Sequence, residues 1–288
     1  MCRRVQRYNV AMTKEIIFLK LGGSLITDKD KPYTPRLDKL ADLALEIKTV
    51  LDSTPNLLLI LGHGSGSFGH TAAKKYGTRD GITDPKGLKR PLGSVEEYWK
   101  GFAEVRFQAA ELNRYVTESL LNAGMPAIPF SPSSSMVSNN GKVTSHNTLA
   151  IRKALDANLL PVVHGDVTFD ESLGGTILST EDVFAFLAEQ FSPTQILLAG
   201  IEAGVWEDFP ARTRLVKQIQ LSDYEKMRAG IGGSASTDVT GGMKAKVEEM
   251  FELIQKNKGL TVQIFSAEES GHLTRALKGE NVGTLLRE

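Results

Sequence analysis

Residues 56 to 70 read Asn56-Leu57-Leu58-Leu59-Ile60-Leu61-Gly62-His63-Gly64-Ser65-Gly66-Ser67-Phe68-Gly69-His70, and this stretch decides the fold class. Its first six residues follow Pro55 as a short, nearly continuous apolar run, the pattern of a strand buried in a parallel sheet. The glycines come next. Gly64, Gly66 and Gly69 reach backbone conformations closed to other residues, so successive N–H groups can converge on an anion with no side chain in the way. His70 adds a titratable donor at the end. Such a turn is also an ordinary strand-to-helix connection, so its meaning depends on whether other strands deliver similar loops.

They do. Glu15-Ile16-Ile17-Phe18-Leu19-Lys20-Leu21 is a second buried-strand pattern, and it ends in Gly22-Gly23-Ser24. Lys20 stands where strand gives way to loop. A lysine in an apolar strand is costly unless it reaches solvent, finds a partner or points into a polar cleft. A further strand, Leu159 to Val163, ends in His164-Gly165-Asp166 and brings a carboxylate to the same level. Between strands the helical period recurs. Leu37, Leu40, Leu43, Ala44, Ile47, Val50 and Leu51 share one face of a helix over residues 36 to 53. Ser94 and Glu97 form a capping box that opens a helix running to about Asn122, with Trp99, Phe102, Val105, Phe107 and Leu112 on its apolar face. This face is core, and part of it is also placed to line an apolar pocket beside His70.

The remaining elements continue the alternation. Residues 126 to 130 predict a third buried strand, 136 to 145 a hairpin turning at Asn139-Asn140-Gly141, and 147 to 157 a helix. A second hairpin spans 167 to 178, with its turn at Gly174-Gly175. Ser179-Thr180-Glu181-Asp182 opens another helix, and capping accounts for one of its two acids. Strands are expected at 195 to 199, 215 to 219, 261 to 265 and 282 to 286. Helices are expected at 71 to 76, 221 to 229, 243 to 255 and 270 to 278. A glycine-rich loop over 230 to 242 is expected to close on a ligand. Residues 1 to 14 read as a disordered leader and 15 to 288 as one domain. The fold class is therefore α/β, with a largely parallel sheet covered on both faces and a binding crevice at the C-terminal strand ends.

Composition narrows the function. Lys plus Arg and Asp plus Glu both total 34 of 288 residues, so no global basic field recruits nucleic acid or an anionic membrane, and any anion site is local. The single cysteine, Cys2, excludes an intrachain disulfide and a cysteine-built metal site and fits a reducing cytosol. No run approaches the roughly 20 apolar residues that span a bilayer. Glycine loops, lysines and a few acids at strand ends are what phosphoryl transfer needs. Neither a G-x-x-x-x-G-K-[ST] loop nor a dinucleotide-binding G-x-G-x-x-G after the first strand is present.

Taken together, Lys20-Leu21-Gly22-Gly23-Ser24, the loop from His63 to His70, His164-Gly165-Asp166, and Asp238-Val239-Thr240-Gly241-Gly242-Met243-Lys244-Ala245-Lys246 resemble the amino acid kinase superfamily. Within it the order and spacing are most similar to the isopentenyl phosphate kinases, from residue 15 to the C-terminus. That resemblance implies an open αβα sandwich and a homodimer. It also implies a cytoplasmic enzyme that uses ATP and Mg2+ to convert isopentenyl phosphate into isopentenyl diphosphate. The part up to about residue 180 would bind mainly the acceptor, and the rest mainly ATP.

By the same resemblance, Lys20 would bridge the transferring phosphoryl group and Lys29 would stabilise its charge. Ser65, His70, Gly165 and Asp166 would surround the acceptor phosphate. Gly22, Gly23, Ser24, Gly66, Gly242 and Lys246 would hold the nucleotide phosphates. Glu181 or Asp182 would align the lysines, and no protein-borne metal site is assigned. The sequence departs from the family pattern at Ser179-Thr180-Glu181-Asp182 (expected Ser-Gly-Asp-Asp), at Gly200-Ile201-Glu202-Ala203-Gly204 (expected Thr-Asp-Val-Asp-Gly) and at Ser65, which replaces a glycine. Two rivals remain: a same-fold kinase of a compact phosphonate such as fosfomycin, and a non-catalytic nucleotide-sensing domain.

Overall fold

A computed structural model describes residues 14 to 82, 93 to 227 and 242 to 288. The leader, the tip of the 77 to 93 excursion and nearly all of the 230 to 242 loop, including Asp238 to Gly241, lie outside the described residues. Eight strands form the main sheet, in the order β10-β12-β11-β9-β1-β2-β6-β3. They are β1 (Glu15–Leu21), β2 (Leu57–His63), β3 (Ala127–Pro129), β6 (Leu160–His164), β9 (Gln195–Gly200), β10 (Gln218–Gln220), β11 (Thr261–Ser266) and β12 (Thr284–Arg287). All neighbours run parallel except β11 and β12. The central pair, β1 and β2, is held in a register that sets Lys20 opposite Gly62 and Leu21 opposite His63. Both glycine loops therefore leave the sheet at one level.

Helices cover both faces because the strands are apolar on both. On one side α2 (Leu37–Ser53), α4 (Val95–Asn122) and α10 (His272–Leu277) bury Ile47, Leu112 and Leu273 against Leu19, Leu61 and Val162. On the other, α6 (Leu149–Asp156), α7 (Thr180–Phe191), α8 (Leu221–Met227) and α9 (Gly242–Lys256) bury Leu155, Phe184 and Met250 against Phe18, Ile60 and Ile196. The short turns α1 (Gly23–Ile26) and α5 (Pro132–Ser135) follow β1 and β3. Ser94 caps α4 through the expected box, accepting from Glu97 N–H at 3.1 Å while the Glu97 carboxylate accepts from Ser94 N–H at 2.8 Å.

Four departures from the expected layout matter for the site. The helix α3 (Gly66–Tyr76) begins inside the glycine loop, not after His70, so His70 sits on a helix. Strand β3 is a half-exposed edge strand, not a buried one, because only β6 pairs with it. The two hairpins combine into a separate four-stranded sheet, β5-β4-β7-β8, from β4 (Met136–Asn139), β5 (Lys142–His146), β7 (Asp166–Asp170) and β8 (Gly174–Leu178). Its second turn falls at 171 to 173, because Gly174 and Gly175 pair with Asp170 and Phe169. Finally, Phe107 on α4 is 65% exposed: it lies off the stripe that Tyr98, Val105, Leu112 and Val116 bury.

Candidate active site

A cavity of about 930 Å³ opens above the C-terminal ends of β1, β2, β6 and β9. Its base is made of backbone. A Cβ on Gly23 would overlap the Gly66 amide, and one on Gly64 would come within 2.9 Å of Gly23 N, so the first two glycine loops are packed main chain to main chain. Gly66 has φ of 50°, where a larger residue is strained, and the Thr27 hydroxyl accepts from Ser67 N–H at 3.1 Å. Such a cradle leaves room for phosphate oxygens and for little else. Gly22, Gly23, Ser24, Ser65, Gly66 and Gly165 all line it.

Side chains then supply the charge. Lys20 forms an ion pair with Glu181, the two side chains being 14% and 7% exposed. Burial opposes the charge on Glu181, but Lys20 and Lys246 outweigh it and hold the carboxyl below the usual range. Lys246, one turn into α9, adds its charge to the pair, and it lines the same cavity along with Lys29 and His70. Gly242 opens α9 at φ of 76°, beside the cavity-lining Met243.

Sequence left Glu181 and Asp182 as alternatives, and the structure separates them. Asp182 is an N-cap partner: its Oδ2 accepts from Ser179 N–H and from the Ser179 hydroxyl, both at 2.7 Å, and it does not line the cavity. Glu181 is aimed by its neighbour. Thr180 Oγ1 donates to the His63 carbonyl at 2.7 Å, and the Thr180 methyl and Phe184 ring occupy the space where Gly62 lacks a Cβ. The first turn of α7 is thereby fixed against the end of β2, and the next side chain reaches Lys20 on the adjacent strand.

Asp166, expected beside the acceptor phosphate, is also bound to its protein neighbours. It borders the cavity, but its carboxylate accepts from Val167 N–H at 2.8 Å and Ser133 N–H at 3.2 Å, and Arg106 Nε lies 3.6 Å away. Burial pushes its carboxyl up, against the pull of Ser133 and Arg106. The residue ties β7 to the turn after β3. Beneath it His63 and His164 stack at 5.2 Å with planes 8° apart. Both are buried, and burial pushes both imidazoles down, His164 well below its usual value. They form a neutral floor.

Beside His70 the cavity wall turns apolar through Ala73, Val105 and Ile177. Behind it Tyr98, Trp99 and Phe102 pack edge-on, Trp99 and Phe102 at 5.2 Å and Tyr98 and Trp99 at 5.2 Å. The sequence offered the α4 residues of this wall. It gave no sign of Ile177, which the second sheet brings in. It gave none of Arg79, on the 3-10 turn Thr78–Asp80, which lines the cavity too.

A parallel αβα sheet with glycine cradles at adjoining strand ends and a lysine–glutamate–lysine cluster between them defines a phosphoryl-transfer fold, and the comparisons agree. The amino acid kinase family model matches residues 15–266, and the chain belongs to that family. Within it, the chain is 35% identical to the isopentenyl phosphate kinase of Methanocaldococcus jannaschii over 274 residues, covering 93% of this chain and 97% of that one. It is 34% identical to the isopentenyl phosphate kinase of Methanothermobacter thermautotrophicus, over 93% and 97% of the two chains. An X-ray structure of an isopentenyl phosphate kinase superposes with a TM-score of 0.77 at 28% identity, covering 94% of this chain and all of the other.

Proposed function

We propose that this protein transfers the γ-phosphoryl group of ATP to isopentenyl phosphate, yielding isopentenyl diphosphate and ADP. The observation that carries the reading is a single cavity that joins the Lys20–Glu181–Lys246 cluster to His70 and an apolar wall. The acceptor is a phosphate monoester whose oxygen is already nucleophilic, so no strong base is needed and positioning dominates. Lys20 and Lys246 face the charge that spreads over the equatorial oxygens in transit, and Lys29 adds to it. Glu181 keeps both ammonium groups from turning away. His70 donates to the acceptor phosphate where a carboxylate would repel it, with Ser65 and Gly165 alongside. Gly22, Gly23, Ser24, Gly66 and Gly242 leave the nucleotide phosphates room.

Among the described residues no group of three or more His, Cys, Asp or Glu side chains is placed to hold a metal. Mg2+ would come with ATP and would neutralise phosphate charge. The apolar wall of Ala73, Val105 and Ile177 favours a hydrocarbon tail over a compact phosphonate. We further place the enzyme in isoprenoid biosynthesis, as a cytoplasmic homodimer whose part before about residue 180 holds the acceptor.

The test is ADP release by the purified protein with ATP and magnesium, comparing isopentenyl phosphate, fosfomycin and no acceptor. Turnover with isopentenyl phosphate is expected. Turnover with fosfomycin alone would reassign the pocket, and silence with both would refute the kinase reading.

A further inference from the structure

Arg79 lines the cavity, and the reaction described above does not use it. Its backbone is pinned on several sides. The Thr176 hydroxyl of β8 donates to the Arg79 carbonyl at 2.7 Å, the Tyr98 hydroxyl of α4 donates to the Thr78 carbonyl at 3.2 Å, and Ile82 N–H donates to the Leu173 carbonyl at 2.8 Å. Gly77 and Gly81, at φ of 54° and 78°, bound the turn with conformations that larger residues rarely adopt. The side chain is treated differently. It is exposed into the cavity, and among the described residues its guanidinium has no hydrogen-bond or ion-pair partner. Yet its charge is felt by Asp182 on α7 and by Glu249 on α9, the helices that carry Glu181 and Lys246.

The pinned turn lies between two halves of the site. It follows directly on α3, the helix of His70 on the acceptor side, and it is held to β8, which runs through Leu178 into the first turn of α7 and Glu181. An anion that faces both halves is the phosphoryl group in transit between ATP and acceptor. A guanidinium is charged at all working pH values and offers a planar fork of donors that matches phosphoryl oxygens. A rigid turn presenting such a fork with no partner among the described residues is preorganised for a ligand. An arginine that merely balanced Asp182 would be expected to pair with it.

We propose that Arg79 is a catalytic ligand of the transferring phosphoryl group, supplied in cis from the acceptor side; this rests on the kinase reading above. The test compares Arg79→Ala, Arg79→Lys and wild type in steady-state turnover with isopentenyl phosphate, in melting temperature, and in binding of ADP with and without aluminium fluoride, which mimics the phosphoryl group in flight. For Arg79→Ala the expected result is a kcat lower by about 10²-fold or more, as for loss of a preorganised transition-state donor. The melting temperature should be unchanged, and added guanidinium should restore part of the rate. ADP alone should bind within threefold of wild type, whereas the ADP–aluminium fluoride complex should weaken by tenfold or more. Arg79→Lys should recover only a minor part, having charge without the fork. A kcat within threefold of wild type, or equal binding of ADP–aluminium fluoride to Arg79→Ala and wild type, would overturn the proposal. So would a rate loss that tracks a lowered melting temperature and ignores guanidinium. Wild-type silence with isopentenyl phosphate would count against the acceptor, while the aluminium fluoride complex would still read Arg79.

Discussion

Replacing Glu181 by Gln removes the charge that pairs with Lys20 and is favoured by Lys246 while keeping nearly the same volume. At an effective dielectric constant near 20, opposite unit charges about 4 Å apart attract by roughly 4 kcal/mol, and breaking a buried pair from one side costs about 3–5 kcal/mol. Lys20 is 14% exposed and faces an open cavity, so it can relax toward water, and the lower figure applies. A loss of about 3 kcal/mol lowers the melting temperature by roughly 6 °C or more for a chain of this size. Thermal unfolding followed by circular dichroism checks it.

The effect has a defined pH range. The Glu181 carboxyl is held below its ordinary value of 4.5 despite burial, by Lys20 and Lys246, so its stabilisation is present above that value and is lost as pH falls through the folded one. The gap between variant and wild type should be full at pH 7 and close in strong acid. It should also shrink when an ATP analogue is bound, because phosphates then supply the missing negative charge. Turnover should fall by about 10²-fold with nucleotide affinity kept or improved, since the acid orders charges that act in the transition state. The control is Asp182→Ala, which loses an N-cap interaction worth about 1 kcal/mol and should leave kcat within a few fold. The reasoning is refuted if the two variants behave alike, or if Glu181→Gln melts within 1 °C of wild type and keeps its rate.

His70→Ala should raise the KM for isopentenyl phosphate by about 30-fold or more, for a lost charged hydrogen bond of about 2–3 kcal/mol, and leave ATP binding in place; steady-state kinetics with each substrate varied separates the two. Glu249 is pushed up to about 8 by burial and by Glu181 and Asp182. It is neutral at pH 7, and stability falls as pH rises from 4.5 through 8, so Glu249→Gln should melt higher than wild type at pH 9 and equally below pH 4. Asp170 accepts backbone N–H bonds from Asn140, Gly141, Ser172 and Leu173 and a hydroxyl bond from Ser138, which together hold its carboxyl low against burial. Asp170→Ala should cost about 2–3 kcal/mol in urea unfolding at pH 7, a difference that fades below pH 3.8.

Much of the fold was legible because its signals are local. The apolar runs at 15 to 21 and 57 to 61, the capping box at Ser94 and the helix start within Ser179-Thr180 each depend on residues a few positions apart, and they lie where periodicity and capping chemistry put them. The glycine loops were legible for a related reason, since glycine at a strand end is a backbone requirement written in the residue itself. The hairpin at Asn140 and Gly141 belongs here too, with φ of 50° and 75°. What the sequence could not order was anything fixed by distant partners. Strand β3 reads as buried, yet it is an edge because strand order is set by crossovers. The sequence shows two hairpins, yet β4 and β7 pair across some thirty residues of chain and join them into one sheet.

The site divides the same way. Sequence alone determined which residue types gather at the strand ends, namely Lys20, the glycines, His70 and an acid at 181 or 182. Tertiary structure decided which acid faces Lys20 and that Arg79 lines the same cavity. Neighbouring side chains on a helix point about 100° apart, so choosing between Glu181 and Asp182 required the rotation of α7. The hydrogen bond from Thr180 to the His63 carbonyl, made across more than a hundred residues of chain, sets that rotation.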